Sequence, residues 1–287
     1  MGTLVFMVAR ATAFHVLYPK HPLPPLRADE EFQEEFLLAK DKGIACSLFN
    51  LEAFEGPEPS GKFRPRPEIP TGSNVLYRGW MLNPERYQML VLRLQEEGAR
   101  PITSVSDYRH CHHLPEWYDE CKDVTAETIF LDPNLNHDGI ISATSKLGWE
   151  KHFVKDFVKS NTLKRGSIAS SPQEVVEIVD QIREYRGEIE GGIALRKVED
   201  YNVDSERRYF VVGGKCYGCY GSDVPDIVKM VAERISAPFF SIDIVQVEAT
   251  GKWRVVELGD GQVSDKKNWP LETFVDMLVD LAALDSI

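Results

Sequence analysis

The stretch that most limits how this chain can fold runs from Phe239 to Asp265, FFSIDIVQVEATGKWRVVELGDGQVSD. It reads as a β-hairpin. Phe239–Glu248 and Lys252–Leu258 are rich in β-branched and aromatic residues, with Ala249-Thr250-Gly251 between them. A three-residue hairpin loop takes its last residue in the left-handed region, which Gly251 enters without a Cβ clash. That register puts Glu248 opposite Lys252, an opposite-charge pair, and Asp243 directly opposite Glu257. Directly opposed residues of an antiparallel pair have Cβ atoms about 5 Å apart, where like charges repel. Ile242 and Ile244 flank one acid and Val256 and Leu258 the other, so neither strand reads as a solvated edge.

Two carboxylates held that way need an answer, and three are open. A Mg²⁺ ion binds through one or two carboxylates plus nucleotide phosphates. A lysine or arginine can reach between the acids. A register displaced by one residue separates them. The polar run that follows at once, Gly259-Asp260-Gly261-Gln262, favours the ion, because such loops let backbone approach a ligand closely.

The 287 residues suffice for two domains or one elaborate one. A net charge of −12 disfavours non-specific attraction to nucleic acid or anionic membrane, so an anionic substrate requires a local basic pocket. No apolar run approaches the roughly eighteen residues of a membrane span. Met1–Val8 lacks the cationic flank and cleavage site of a secretory signal. Five cysteines, an odd number, suggest reduced thiols and a cytoplasmic protein.

Up to about residue 105, apolar strands (Ala13–Tyr18, Gly43–Phe49, Asn74–Tyr77, Pro101–Ser104) alternate with helical patterns (Asp29–Lys42, Glu85–Gly98). The alternation implies a small α/β domain with a partly parallel sheet. No G-x-G-x-x-G marks it as a dinucleotide binder. Three histidines and a cysteine at 110–113 invite a zinc reading, but neighbours cannot all face one ion and no second cluster completes a site. That segment reads better as a helix start lining a cleft, with Arg109 and His112 able to meet phosphate or carboxylate. Cys216 and Cys219 lie in strand-like sequence, where residues three apart point to opposite faces, so they read as packing.

His152–Lys159 alternates as a strand with Lys155 and Lys159 on one face. A lysine inside an apolar strand is costly unless it meets an anion, although an exposed sheet face serves equally for Lys159. Ser160–Ser171, with Lys164, Arg165 and Gly166, is expected to be a cationic lid. Ser171-Pro172 starts a helix over Gln173–Tyr185; further helices are expected at Asp226–Ile235 and Leu271–Leu284. The strand Gly191–Val198 ends in Glu199-Asp200; its Arg196 and Lys197 face opposite sides, so at most one reaches a cleft. Glu206–Val212 is one more strand.

A lysine strand, a flexible loop, a helix, a hinge strand, an E-x-R strand, a D strand and a final E strand follow in order. This order resembles the ATP-grasp superfamily of carboxylate ligases over about residues 105–270. The segments LYPKHPL, VLYRGW, YRHCHHLPEWY and ELGDGQVS resemble its clade named for two arginines and a lysine. The resemblance implies an α/β (α+β) chain: an N-terminal α/β pre-grasp domain (1–105), a small ATP-grasp subdomain (106–190) and a C-terminal one (191–287). It implies that Lys155 contacts phosphate, and that the hinge Leu195–Glu199, including Arg196, Lys197 and Val198, meets adenine through its backbone. Glu199 would contact ribose and Arg208 would face the phosphates. Lys159 would join the cofactor contacts, and Asp243 and Glu257 would hold Mg²⁺.

Two positions depart from the family pattern. An asparagine usually follows the last glutamate by two residues; here Gly259 stands there, leaving Asp260 or Gln262 as substitutes. The family's earlier lysine has no clear counterpart, and Arg109 is the nearest candidate. The implied chemistry is ATP- and Mg²⁺-dependent activation of a small-molecule or peptide carboxylate as an acyl phosphate, which an amine or similar nucleophile attacks. The alternatives are an ATP-dependent modifier of RNA or protein ends and a non-catalytic nucleotide-binding regulator.

Overall fold

The computed structural model describes residues 14–56, 63–158, 166–187, 189–219 and 224–284. The chain divides into two compact units, Met1–Val105 with Gln262–Ile287, and Ser106–Gly261.

In the first unit, β1 (Phe14–Pro19), β2 (Ala45–Phe49), β3 (Asn74–Tyr77) and β4 (Arg100–Pro101) pair in the order β2-β1-β3-β4, every neighbour parallel. Parallel neighbours need crossovers, and α1 (Gln33–Asp41), α2 (Leu51–Glu55) and α3 (Pro84–Glu96) lie in them. Central β1 is buried along its whole length, as a parallel strand covered on both faces must be. Asn83 caps α3 by accepting from the Arg86 N–H at 2.9 Å, with Pro84 in the first turn. The C-terminal helix, Leu271–Leu284, belongs here: the Phe274 ring lies 4.9 Å from the Arg78 guanidinium, and Asp276 accepts from Lys42 at 2.5 Å. The second unit therefore ends at Gly261, short of the 191–287 span expected for the last subdomain.

The second unit holds two four-stranded antiparallel sheets. One runs β5-β8-β6-β7, from β5 (Thr128–Leu131), β6 (His152–Asp156), β7 (Ile168–Ala169) and β8 (Ile193–Lys197). The other runs β10-β9-β11-β12, from β9 (Tyr201–Val212), β10 (Lys215–Gly218), β11 (Phe239–Val247) and β12 (Trp253–Asp260). Among its helices are α4 (Val105–His112), α5 (Leu114–Cys121), α6 (His137–Ser145), α7 (Pro172–Arg186) and α8 (Asp226–Arg234). Ile140 of α6 and Val175, Ile178 and Ile182 of α7 bury Val154 and Leu195 on one face of the first sheet. Trp117 of α5 and Val228 and Val231 of α8 bury Phe240, Ile242, Ile244, Val255 and Leu258 of the second. Alternation along β11 therefore sends Asp243 to the opposite face from its isoleucine neighbours.

The hairpin is tied differently from its sequence expectation. The Val247 N–H donates to Lys252 O at 2.9 Å, so the loop has one residue more than expected and Glu248 does not face Lys252. Gly251 does sit in the left-handed region, at φ 65°. Continued without interruption, that turn would put Val256 opposite Asp243. Instead the register shifts between Asp243 and Ile244, so that Ile244 faces Val255 while Asp243 faces Glu257. Val256 is the extra residue of a β-bulge. The opposition of the acids is as expected, but it comes from two departures that cancel.

The lysine strand is shorter than expected. It ends at Asp156, whose Oδ1 accepts from the Val158 N–H at 2.9 Å and turns the chain. Lys159, Lys164 and Arg165 lie outside the described residues, as does the first half of the expected lid. No described helix is long and apolar enough to cross a membrane.

Candidate functional site

Asp243 lies on β11 between Arg208 of β9 and Glu257 of β12, in register with both. Arg208 grips it bidentately, Nε to Oδ1 and Nη2 to Oδ2, each at 2.7 Å. This fork geometry is the strong form of a charge-assisted pair. Glu257 takes its own cation from the other sheet: Lys155 Nζ of β6 donates to its Oε1 at 3.2 Å and to the Val158 carbonyl at 3.4 Å. The row thus reads cation, acid, acid, cation. Of the answers open from sequence, the second holds in this structure, with one cation for each acid rather than one between them. Burial is uneven: the side chains of Asp243 and Lys155 are each 4% exposed and that of Glu257 is 36%.

The remaining candidate ligands lie elsewhere. Asp260 is buried and, two residues on from Leu258, takes the helix-packed face of β12. There its charge adds to the burial that pushes the Cys111 thiol well above its usual range. Gln262 belongs to the first unit; its Oε1 accepts from the Tyr77 N–H at 3.1 Å and its Nε2 donates to the Tyr87 hydroxyl at 2.9 Å. Neither joins the carboxylate pair. Among the described residues no three His, Cys, Asp or Glu side chains converge to hold a metal ion.

The hinge also differs in detail. The Lys197 and Val198 N–H groups donate to Glu127 O and Lys151 O, at 2.8 and 3.3 Å. The Lys197 side chain is exposed. Glu199 is held by Arg254, Nη2 to Oε1 at 2.8 Å and Nε to Oε2 at 3.0 Å, and by the Tyr201 hydroxyl at 2.9 Å. Those three bonds leave one lone-pair direction of the carboxylate for a further donor. Arg196 is buried, and desolvation holds its pKa below the usual arginine value. Its Nη1 donates to Val256 O and its Nη2 to Thr125 Oγ1, both at 2.7 Å. Arg109 sits on exposed α4 surface paired with Glu116 at 2.8 Å, and His112 is buried. The basic cleft wall expected at 109–112 is therefore a surface ion pair beside a core histidine. Sequence reasoning missed Thr125, Arg254 and the bulge; Thr125 lies in a stretch without a periodic pattern.

Residues 146–278 match the model of an ATP-grasp domain, family 3 of the clade named for two arginines and a lysine, and that span contains Lys155, Arg208, Asp243 and Glu257. Residues 146–278 are an ATP-grasp domain of that clade. Solved structures agree in fold. The RimK domain ATP-grasp protein of Sphaerobacter thermophilus DSM 20745 is 14% identical, with a TM-score of 0.59 over 96% of this chain and 98% of that one. The ATP-grasp ligase PsnB, solved with a minimal precursor, Mg and ADP, is 12% identical, with a TM-score of 0.56 over 93% and 98%. N5-carboxyaminoimidazole synthase of Aspergillus clavatus, solved with ADP and 5-aminoimidazole ribonucleotide, is 9% identical, with a TM-score of 0.60 over 94% and 77%. No curated protein sequence matches the chain. The matched span holds every strand of the two antiparallel sheets except β5, and the α/β class of the whole chain follows.

Two opposed carboxylates fit a Mg²⁺ ion that keeps phosphate and water among its ligands, and do not make an all-protein cage.

Proposed function

We propose that the protein is an ATP- and Mg²⁺-dependent ligase that activates a carboxylate as an acyl phosphate for attack by an amine. The observation that carries this reading is the row Arg208, Asp243, Glu257, Lys155, two acids in direct opposition with a cation at each end. The opposition of the two acids gains the fold nothing by itself, since like charges opposed across a hairpin repel. Asp243 and Glu257 would hold the ion, which would supply positive charge to offset that of the phosphates. Arg208, oriented by both oxygens of Asp243, presents a guanidinium fixed in direction. Lys155 offers a buried ammonium whose position is set by Val158 O before any phosphate arrives. Such preorganised charges need no reorganisation as charge develops. No side-chain nucleophile is required.

The carboxylate substrate is a small molecule or a peptide. Support for substrates of either size comes from the fold neighbours, PsnB having been solved with a precursor peptide and the Aspergillus synthase with a small ribonucleotide that carries an amine. The deciding experiment is Mg²⁺-dependent ADP release, screened over amino acids, small carboxylates, peptides and RNA. Release with one carboxylate class and an amine supports the reading. ATP binding without release under every acceptor would make the protein a nucleotide-binding regulator instead.

A further inference from the structure

The bulge at Val256 decides where Glu257 points. A hairpin extended from the Val247–Lys252 turn without it would place Glu257 opposite Ile242, on the face packed by α5 and α8. One residue of slip sends every later side chain to the other face. β12 is the edge of its sheet, and the carbonyls of Val255 and Val256, at the bulge, are taken by side chains from outside the hairpin. Thr125 Oγ1 donates to Val255 O at 2.7 Å, Arg196 Nη1 donates to Val256 O at 2.7 Å, and Arg196 Nη2 donates to Thr125 Oγ1 at 2.7 Å. The Val255 N–H also donates to Val124 O at 2.8 Å, fixing the strand before the bulge. Arg196 makes no ion pair with a described carboxylate, although it is buried in the strand that leads into the hinge. A buried guanidinium spent on a hydroxyl and one carbonyl is costly to keep unless that carbonyl matters.

We propose that Arg196 and Thr125 are positioning residues that hold the Val256 bulge and thereby aim Glu257 at the site shared with Asp243. Its consequence for metal binding rests on the ligase reading above; the register itself does not. Outer residues that orient metal ligands cost about 10–100-fold in metal affinity when removed. The arrangement assigns Arg196 a place behind the site, with its guanidinium on the backbone of β12 rather than on the nucleotide.

The test compares the parent, Thr125→Val, Thr125→Ser and Arg196→Met. Valine keeps the shape of threonine and removes the hydroxyl, serine restores it, and Thr125→Val keeps the question open to measurement if Arg196→Met fails to fold. Two readings are taken. In metal-free protein, nuclear Overhauser contacts between the Asp243 and Glu257 backbones report the register. With the non-hydrolysable analogue AMPPNP, the Mg²⁺ concentration giving half-maximal stabilisation reports the paired ligands. The expected result is loss of the Asp243–Glu257 contact in Thr125→Val, a Mg²⁺ midpoint raised about 10–100-fold, and recovery of both in Thr125→Ser. A simple loss of stability would leave the contact and the Mg²⁺ midpoint of the folded fraction at parent values, and that result overturns the proposal. Should the parent show no Mg²⁺-dependent stabilisation by AMPPNP, the ligase reading falls, and the backbone contact still decides whether the two residues set the register.

Discussion

Among the described residues, each unit holds an acid–cation arrangement with buried members, and the two are built to different ends. In the first unit Arg78 donates from Nε and Nη2 to the two oxygens of Glu35, at 2.9 and 2.8 Å, and from Nη1 to Gln262 O and Ser264 O at 2.8 and 3.0 Å. Tyr18 adds its hydroxyl to Glu35 at 3.1 Å, and the rings of Phe32 and Phe274 lie 5.7 and 4.9 Å from the guanidinium carbon. Every nitrogen has an acceptor and one acid matches one cation. In the second unit two acids oppose each other, and Glu257 stays partly open. A closed pair can only hold structure together. An open row of four charges is matched in number yet strained in order, and a divalent cation with phosphates can re-pair it.

The sharpest way to break that contrast is to remove one charge from the closed pair. Glu35→Gln leaves Arg78 buried without its carboxylate, which costs about 3–5 kcal/mol of stability. Denaturant unfolding should show the loss directly, while the folded fraction keeps its Mg²⁺-nucleotide affinity. Loss of nucleotide affinity at equal folded fraction would mean the two arrangements are not separable.

Asp243→Asn is the matching change in the open row. The bidentate grip of Arg208 on a buried carboxylate makes this variant less stable than the parent by about 1.5–3 kcal/mol, the range for hydrogen bonds to charged groups. From the sequence, repulsion between the acids argues the reverse, that removing a charge should stabilise the metal-free protein. The structure changes the sign because Asp243 is partnered on the other side by Arg208. Unfolding in chelator checks it, and ADP release by the same variant should fall with it.

Acid should weaken the first unit through His15. Its Nε2 is 2.7 Å from Ser47 Oγ, which donates its own proton to Pro67 O at 2.6 Å, so the ring nitrogen facing Ser47 carries the hydrogen. The Nδ1 is buried without a hydrogen-bond partner, and burial lowers the pKa from 6.5 to about 4. Between those values the unfolded chain binds a proton that the folded one refuses. Stability is therefore full above 6.5 and falls with decreasing pH, by about 2 kcal/mol at pH 5. Melting temperature against pH for the parent and His15→Gln should diverge below 6.5 and run parallel above it.

Only the open side of this contrast was legible in the sequence, and the failures have physical causes. The helix Leu271–Leu284 is where its periodicity puts it, and α7 starts at the Ser171-Pro172 signal, Ser171 Oγ accepting from the Glu174 N–H at 3.2 Å. Strand pattern and turn chemistry were enough to oppose Asp243 and Glu257, but the turn was read one residue short and the compensating bulge was invisible. Val256 has the composition of any strand residue; what makes it a bulge is Thr125 and Arg196, far away in sequence. Asp260 and Gln262 looked like ligands because they follow Glu257 closely, whereas pleat alternation turns one inward and the unit boundary takes the other. Arg109 looked like a phosphate contact because nothing local showed that Glu116, seven positions along the chain at the start of another helix, would claim it.

The smallest stability effect belongs to Glu257, and it discriminates best. Its side chain is 36% exposed, Lys155 reaches it at 3.2 Å, and Asp243 opposes it directly. Attraction to the lysine and repulsion from the aspartate largely offset each other, and solvent screens both. Glu257→Gln keeps the shape and should change stability in chelator by no more than about 1 kcal/mol in either direction. Yet the same substitution removes one of two carboxylates available to Mg²⁺, so the Mg²⁺-nucleotide stabilisation expected of the parent should shrink by mass action and ADP release should be largely lost. Stability and ligand response are thus expected to separate at Glu257 and to fall together at Asp243. Melting curves in chelator and in Mg²⁺ with AMPPNP, recorded for the parent and both variants, decide it. A Glu257→Gln protein that melts several degrees below the parent in chelator, with its Mg²⁺ response intact, would place Glu257 with Glu35 as a structural acid and move the metal site elsewhere.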